Sequence, residues 1–493
     1  MTESSSDQVM FNVLKSVGVD GGGPRVGRLA LPKRRRIETP SFFGLSSRGA
    51  IPHMTPDVIS KHVELSGSYM ALEDFIEKSQ KRVEPAIFNI PSDGKEILHA
   101  YTATPTLVAT VLGARRHPAV VAPMGNGKDY ISIYTSTGFQ KLRNQEYYSA
   151  IERLQPDIAI PLADLTFGNS HIRTKLPHPK RQLRMVERTE DWLAEFIKLR
   201  NAASDEGSPS TRIFAPLLPV SYPMQWEYLN RLCQDHVADL SGLAVYDADI
   251  LPDLNGHSSL LPLPRISMDF ITSPIEILRQ VRLGLDMFTV PFINTVSDAG
   301  VALTFSFPPP SSLDSAMHPL GIDMWSQDNQ VSTKPLVDGC QCYTCTKHHR
   351  AYLHHLLNAK EMLGWTLLQI HNHRVLSDFF KGIRAALAAE PPTFEHDFEI
   401  FSKVYEPELP KGTGERPRAR GYHFKTEGGQ AKINPPAWEK YDEGDTEDPA
   451  LAGEVAGLAV TGTTAEGIET PVVPDPNSDA KDLDEKGFAE IQR

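Results

Sequence analysis

The residues most suited to chemistry are three cysteines within six residues, Cys340, Cys342 and Cys345, followed further along the chain by His371. Thiolate and imidazole are the ligands that tetrahedral Zn²⁺ prefers, and four protein ligands leave no open position for water. Because catalytic zinc sites keep one position open, the pattern predicts a closed Cys3His site with a structural role.

The residues around the cysteines must point three sulfur atoms at one centre. Pro335, Asp338 and Gly339 predict a turn just before them, and an apolar stripe over 347–363 predicts a helix that returns the chain toward a histidine on the next helix. The alternative is a loose loop with free or disulfide-bonded cysteines. A Cys340–Cys342 bridge would be strained, and cytosolic thiols usually stay reduced. On the residues alone the fourth ligand stays open, because other histidines compete: His348, His349, His354, His355 and His373.

The composition is that of an intracellular globular protein. The chain has 493 residues, of which 40% are hydrophobic, and can bury a large core. No apolar run reaches the roughly 20 residues that span a bilayer, and the polar N-terminus lacks the pattern of a secretory signal. The fourth cysteine, Cys233, lies in an amphipathic stretch and is expected to be an ordinary core residue.

The net charge of −12 is concentrated at the C-terminus. Residues 426–493 contain 16 acidic and 5 basic side chains, a balance of −11, and have few aromatics. Such a segment buries too little surface to offset its ordering entropy. We therefore expect a largely disordered tail over 406–493 and a flexible N-terminus over 1–10. Basic clusters at 33–36, 175–188 and 416–425 could each contact phosphate, although a solvated surface face is the more ordinary explanation of any one of them.

The middle of the chain alternates short apolar runs with helical patterns. The predicted strands are Ala119–Ala122, Tyr130–Tyr134, Ile158–Leu162, Ile213–Val220, Leu243–Tyr246, Arg265–Phe270 and Met287–Phe292. One connecting helix is well marked, with a capping box at Ser273 and Glu276, Pro274 at its first position and Gly284 at its end. This alternation favours a (β/α)8 TIM barrel. An open doubly wound sheet is the alternative, but no Gly-rich phosphate loop follows a strand.

Several motifs resemble the tRNA-guanine transglycosylases. In family order they are Gly27-Arg28-Leu29, Ile37 to Phe42, Thr55-Pro56, Thr135 to Gln140, Gly242 to Val245, Gly284 to Phe288, and the cysteine block with Ala351 to Leu356 and His371-Asn372. The resemblance implies a TIM barrel over 11–405 with an inserted zinc-binding subdomain over 335–375. It also makes His371 the fourth zinc ligand, beside Cys340, Cys342 and Cys345.

The family's catalytic positions are altered in this chain. A family member replaces guanine in a tRNA anticodon loop by double displacement, in which one carboxylate attacks the ribose and a second handles protons. By the resemblance, the nucleophile position is Thr289 and the base position is Thr135. Thr137 replaces a glycine and Leu218 replaces the base-recognising glutamine. The arginine that should follow the nucleophile's proline is missing from 291–293.

A threonine hydroxyl is neutral at pH 7 and, without an adjacent base, can neither attack the sugar nor stabilise its cation. Asp286 and Asp164 are the nearest candidate substitutes. By the resemblance Asp286 is structural, and Asp164 stands near the family's base-recognising aspartate. Neither replaces two lost carboxylates, so the sequence predicts no catalytic and no cofactor-binding residues.

A chain that keeps the family's scaffold and zinc ligands but lacks its two catalytic carboxylates resembles the family's non-catalytic members. There such a chain pairs with a catalytic paralogue, and the heterodimer inserts queuine at the wobble position of tRNAs with GUN anticodons. The resemblance implies zinc, a catalytic partner and tRNA, but not DNA, and a cytoplasmic location with at most peripheral association with the mitochondrial outer membrane. Two alternatives remain: a transglycosylase active alone, and a zinc-containing adaptor that does not act on tRNA.

Overall fold

The computed structural model describes residues 10–18, 22–76, 84–91, 96–120, 122, 125–135, 138–165, 177–203, 211–310 and 316–417. The strands are β1 (Phe11–Ser16), β2 (Arg25–Leu29), β3 (Ile37–Thr39), β4 (Ser41–Leu45), β5 (Gly67–Ala71), β6 (Ala109–Gly113), β7 (Tyr130–Thr135), β8 (Gly138–Arg143), β9 (Ile158–Ala159), β10 (Arg212–Leu217), β11 (Gly242–Val245), β12 (Arg265–Ser267), β13 (Met287–Thr289), β14 (Val301–Leu303) and β15 (Gly321–Asp323). The α-helices are α1 (Pro56–His62), α2 (Ile97–Thr102), α3 (Asn144–Leu154), α4 (Pro179–Ala203), α5 (Tyr222–Arg231), α6 (Pro274–Arg282), α7 (Phe292–Asp298), α8 (Tyr343–Lys347), α9 (Arg350–Asn358), α10 (Met362–Ala388) and α11 (Phe394–Val404).

Eight parallel strands close into a barrel in the order β4-β5-β6-β9-β10-β11-β12-β13, and β13 pairs with β4 to complete the ring. The predicted (β/α)8 barrel is therefore confirmed. Large side chains fill its interior, among them Phe43, Tyr69, Phe214 and Met287. The antiparallel sheet β1–β3 adds Phe11, Leu29 and Ile37 to the same cluster, so it covers one end of the barrel.

The strand–helix–strand unit read from the sequence is present as β12, α6 and β13, with β12 and β13 parallel. Pro274 opens α6, and Gly284 follows its end at φ +96°. The predicted capping box does not form, because the Glu276 side chain does not reach the backbone N–H of the N-cap Ser273 and the Ser273 side chain does not reach that of Glu276. Glu276 accepts a hydrogen bond from the backbone N–H of Thr272, whereas the Ser273 side chain makes no cap bond.

Two of the predicted strands are corrected by the structure. The described residues of the run 119–122 lie outside any strand. Tyr130–Thr135 forms β7, but it pairs with β8 in a separate hairpin rather than in the barrel. The barrel instead uses β4, β5 and β6, which the sequence pattern did not reveal. Their small residues, such as Gly67 and Ala109, hide the apolar signal of buried parallel strands.

A buried ion pair holds the barrel below β13. Asp286 accepts hydrogen bonds from Arg25 Nε at 2.8 Å and Nη2 at 2.6 Å, and from the backbone N–H of Arg265 at 2.8 Å. The Arg25 and Asp286 side chains are 2% and 0% exposed. Asp286 is therefore structural, as expected from the sequence.

The inserted subdomain consists of β14, β15, α8, α9 and the first turns of α10, packed around their own cluster with Trp365 and Leu368. Further along, α10 places Phe379 and Phe380 in the main core, so one helix joins both clusters. The helix predicted over 347–363 is wrong in extent. It is α9 alone, because the chain turns at Lys360, at φ +57°, before α10 begins.

The two ends of the chain fall largely outside the described residues. The predicted flexible N-terminus (1–10) is described only at Met10, and the predicted tail (406–493) only over 406–417. Over those twelve positions the chain lies against the folded body. Among the described helices, none is both long and apolar enough to cross a membrane.

Candidate metal centre and barrel mouth

A tight turn and the start of a short helix bring the three cysteines together. Gly339 adopts φ +78°, as the predicted turn requires, and Cys340 donates its backbone N–H to Val337 O at 3.2 Å. Cys342 is the N-cap of α8, and its Sγ accepts the backbone N–H of Cys345 at 3.3 Å. N–H donors of this kind favour a thiolate sulfur.

The four predicted ligands converge on one point. All four ligand atoms lie within 4.8 Å of one another, and they could hold a metal ion. His371 Nδ1 lies 3.9, 3.5 and 3.4 Å from the Sγ atoms of Cys340, Cys342 and Cys345. A tetrahedral zinc ion with ordinary Zn–S and Zn–N bonds places these atoms about 3.6 Å apart. The donor set and its spacing therefore fit zinc.

The second ring nitrogen of His371 fixes the orientation of the imidazole. Nε2 donates to the backbone oxygen of Leu303 in β14 at 2.9 Å, and the ring is fully buried. Asn372 reinforces this contact, since its Oδ1 accepts the Leu303 N–H at 2.8 Å and its Nδ2 donates to Val301 O at 3.0 Å. Such supporting bonds select the ligand tautomer and hold the ring in place. The sequence showed the His-Asn pair but not this role of Asn372.

The charge state of the cluster also suits a cation. Hydrogen bonds from the Cys342 and Cys345 side chains hold the pKa of Cys340 well below its usual range. A thiolate is the form of cysteine that binds metals. Cys340 is therefore held in the form that binds a metal.

The competing histidines have other surroundings. His373 donates Nδ1–H to Gln369 O at 2.9 Å, and burial lowers its pKa to about 4. His354 bonds to Met324 O at 3.0 Å. His349 caps α9 by accepting the backbone N–H of Tyr352, and the His348 ring stacks on the Tyr352 ring. His355 is exposed. Of these six histidines, only His371 faces the sulfurs.

Both threonines singled out by the sequence are buried at the ends of strands. Thr289 is 0% exposed and donates its hydroxyl proton to Ser267 O at 2.8 Å. Thr135 is 1% exposed, donates to Gly138 O at 3.0 Å and accepts from Gln140 Nε2 at 3.0 Å. The hydroxyl proton of Thr289 is therefore held by a carbonyl and not by a general base. Thr137 lies outside the described residues.

Asp164 lies beyond the end of β9 in a polar cage. Its carboxylate is 0% exposed and accepts from Asn126 Nδ2 at 2.7 Å, Arg188 Nη1 at 3.0 Å and Arg181 Nη2 at 3.2 Å. Two arginines of α4 thus neutralise it. From the sequence, Arg181 and Arg188 belong to the basic cluster at 175–188, whose ordinary explanation is a solvated surface. Their spacing of seven residues places them on one face of a helix. Leu218 is fully buried and contributes only apolar surface and backbone here.

Cys233 is partly buried beside the main core, as the sequence led us to expect, and its Sγ lies 3.8 Å from His257 Nδ1. Its thiol is far from the cysteine block in the chain and takes no part in the four-ligand cluster.

Comparison with known proteins identifies the family. Residues 20–407 match the family model described as queuine tRNA-ribosyltransferase. The chain belongs to this family. It is 33% identical to the queuine tRNA-ribosyltransferase accessory subunit 2 of Schizosaccharomyces pombe, over 84% of this chain and 89% of that protein. Proteins with the same name from Drosophila virilis and Culex quinquefasciatus are 26% and 27% identical, each over 78% of this chain and over 91% and 88% of their own length.

Proposed function

We propose that this chain is the non-catalytic accessory subunit of a heterodimeric queuine tRNA-ribosyltransferase. The heterodimer exchanges guanine for queuine at wobble position 34 of tRNAs with GUN anticodons, those for Asp, Asn, His and Tyr. Membership of the family and similarity to proteins named accessory subunits support this role. The observation that carries it is the hydrogen bond from Thr289, the residue that the resemblance sets at the nucleophile position, to Ser267 O.

The requirements of the family's reaction explain why we propose that this barrel is catalytically inactive. An oxocarbenium-like transition state needs a carboxylate beside the anomeric carbon and a second group that handles protons. Thr289 and Thr135 supply neither. Asp164 is the other buried carboxylate that the sequence suggested, but Arg181 and Arg188 already pair with it. A carboxylate neutralised by two guanidinium groups is a poor nucleophile and a poor base.

We assign one zinc ion to Cys340, Cys342, Cys345 and His371. When bound, it would supply a structural cross-link and no reactive water, because all four positions are taken. The ligands join the turn before α8 to the middle of α10. Since α10 also packs in the main core, this cross-link fixes the subdomain relative to the barrel.

The zinc subdomain is also the proposed docking surface for the catalytic subunit. Tyr343, Met362 and Leu363 are 37%, 46% and 44% exposed at the starts of α8 and α10. A partner that covered these three side chains would bury their apolar surface. The partner would supply the active site, and this chain would supply an interface and phosphate contacts. We also propose a cytoplasmic location, because the chain would act on tRNA and its zinc-binding thiols would stay reduced there.

The test is to measure guanine exchange on tRNA by this chain alone, by its catalytic paralogue alone and by their mixture. We expect no exchange by this chain, and exchange by the mixture that exceeds that of the paralogue. Exchange by this chain alone would establish the active-transglycosylase alternative. Failure to bind tRNA or to stimulate any paralogue would instead favour the zinc-containing adaptor.

A further inference from the structure

Beyond the zinc cluster, the outer face of α10 carries a row of cations. Arg374 Nε pairs with Asp378 at 2.7 Å. Lys381 Nζ pairs with Glu64 at 2.7 Å and with Asp378 at 3.7 Å. The two carboxylates are 55% and 48% exposed, and ion pairs with such exposed groups are weak. An external anion can therefore compete with them for Arg374 and Lys381.

The basic run at 33–36 divides into a structural part and an exposed part. The Arg34 side chain is only 3% exposed and pairs with Glu96 at 2.7 Å and with Asp157 at 2.8 Å. Arg35 and Arg36 are exposed, and neither forms an ion pair with any residue that the structure describes. These two guanidinium groups are therefore open to an external anion.

Two contacts set this run beside α10. Arg384 Nη1 donates to the backbone oxygen of Pro40, which follows the run, at 2.6 Å. The hydrogen bond from Lys381, together with the charges of Arg374 and Arg35, holds the pKa of Glu64 below its usual range, so Arg35 lies near the same carboxylate. We call the resulting surface the basic ridge, and its charged members are Arg35, Arg36, Arg374, Lys381, Arg384, Glu64 and Asp378.

The basic ridge is a local excess of positive charge. It holds five cations and two carboxylates, a balance of +3. The chain carries −12 in all and −11 after residue 425, which leaves −1 for everything before that point. Since an α-helix rises about 1.5 Å per residue, the part of the ridge between Arg374 and Arg384 is about 15 Å long. A nucleic-acid strand carries one phosphate per roughly 3.4 Å of helix axis, so several phosphates can face a ridge of this length.

The ridge lacks the apolar side chains that a protein or membrane partner would use. Between Arg374 and Arg384, α10 has no exposed large hydrophobic residue. Protein interfaces have an apolar core with aromatic anchors, and a helix that lies on a membrane buries an apolar face. Interfaces with nucleic acids are more polar and much more positively charged. The side chains of the ridge match the nucleic-acid case.

We propose that the basic ridge binds the phosphate backbone of RNA. The proposal rests on the proposed function, which makes the RNA a tRNA. Arginine can pair with a phosphate through two parallel hydrogen bonds, and lysine adds a point charge. Contacts of this kind position a nucleic acid without reading its sequence. Because His371 lies on the same helix as Arg374, the zinc cluster and the ridge share one rigid element, and RNA on the ridge would be held at a fixed distance from the zinc subdomain.

The test compares three variants of the full chain, each assembled with the catalytic paralogue. The ridge variant carries Arg35→Gln, Arg36→Gln, Arg374→Gln and Lys381→Gln, and it keeps Arg384 because that side chain holds Pro40. The control variant removes the same charge from four other helices, with Lys198→Gln, Arg231→Gln, Arg279→Gln and Lys403→Gln. The acid variant carries Glu64→Gln and Asp378→Asn, which raises the balance of the ridge from +3 to +5.

For each variant the dissociation constant for tRNA is measured over a series of salt concentrations, together with heterodimer formation and the exchange rate at saturating tRNA. We expect the ridge variant to bind tRNA at least about 10-fold more weakly and its salt slope to fall by about 3, since each lost phosphate contact contributes about 0.7–0.9. The control variant should match the wild-type heterodimer. The acid variant should bind tRNA more tightly than the wild type, a change that damage to the fold would not produce. Heterodimer formation and the rate at saturating tRNA should stay unchanged in all three.

Equal tRNA binding by the ridge and control variants would overturn the proposal, and so would an acid variant that binds no more tightly than the wild type. Loss of heterodimer formation in the ridge variant would assign the ridge to a protein partner instead. Binding to vesicles of phosphatidylcholine and phosphatidylserine that depends on the ridge, with tRNA binding unaffected, would assign it to a membrane. A wild-type heterodimer that binds tRNA without exchange would disprove only the proposed function, and the comparison of the variants would still decide the role of the ridge.

Discussion

Replacing Cys342 by alanine should empty the metal site. Its Sγ is 3.5 Å from His371 Nδ1 and caps the first turn of α8, and the residue is 4% exposed. Cys342→Ala therefore removes a ligand and a cap together. A ligand present at about 1,000 times its dissociation constant stabilises the fold by about 4 kcal/mol. With an unfolding entropy of about 2.1 cal/mol/K per residue over roughly 400 folded residues, losing that amount lowers the melting temperature by about 5 °C.

Metal analysis of the purified chain should find about one zinc per chain in the wild type and none in Cys342→Ala, and calorimetry should show the lower transition. Two controls separate metal loss from general damage. Cys233→Ala should keep both zinc and stability. His373→Ala leaves a cavity and should cost about 2–4 kcal/mol while retaining the zinc. A full complement of zinc in Cys342→Ala, or its loss in His373→Ala, would refute the ligand assignment.

Three other perturbations separate structural from chemical roles. In the heterodimer, Thr289→Ala should leave the exchange rate unchanged and lower the free energy of unfolding of this chain by only about 1–2 kcal/mol. Loss of exchange by a folded heterodimer would mean that this barrel takes part in catalysis. Deleting residues 426–493 should leave the calorimetric transition nearly unchanged, since a segment of this acidic, aromatic-poor composition is expected to bury few contacts, and a large drop would show that the tail docks. Asp286→Ala leaves Arg25 buried and unpaired and should cost about 3–5 kcal/mol in denaturant unfolding. Asp249→Ala breaks the exposed pair with Arg279 and should cost less than about 1 kcal/mol.

The convergence of the three cysteines could be predicted from the sequence because the information that produces it is local. Three cysteines within six residues need only one turn to converge, and Gly339 supplies it. The fourth ligand required more, since several histidines have comparable spacing. What selects His371 is the Leu303 carbonyl in β14, a contact between residues 68 positions apart. No local pattern encodes that contact, and the family resemblance supplied the answer instead.

The barrel was predictable as a class but not strand by strand. The apolar run at 119–122 predicts a strand as well as β6 does, yet its described residues lie outside any strand, whereas β6 pairs with β5 and β9. Buried parallel strands lack the alternating pattern that marks half-exposed ones. Which apolar segments become barrel strands therefore depends on which of them can pair to close the ring. The cage around Asp164 was missed for a similar reason, because Arg181 and Arg188 read as surface charges until the helix brings them to one carboxylate.

The structure separates what holds this fold together from what the family's reaction needs. The Arg25–Asp286 pair and the closed strand ring act on stability, and the Cys3His cluster, whose four ligand atoms lie together, would do so with a metal bound. The positions that the family resemblance gives to the two carboxylates need none for stability, since at one of them Thr289 fills the space and satisfies its hydroxyl on a backbone carbonyl. Substitutions at these positions should change the free energy of unfolding little, whereas they would abolish the family's reaction. Under the proposed function, a chain whose partner carries the reaction could lose both carboxylates while keeping every element on which docking and tRNA binding would depend.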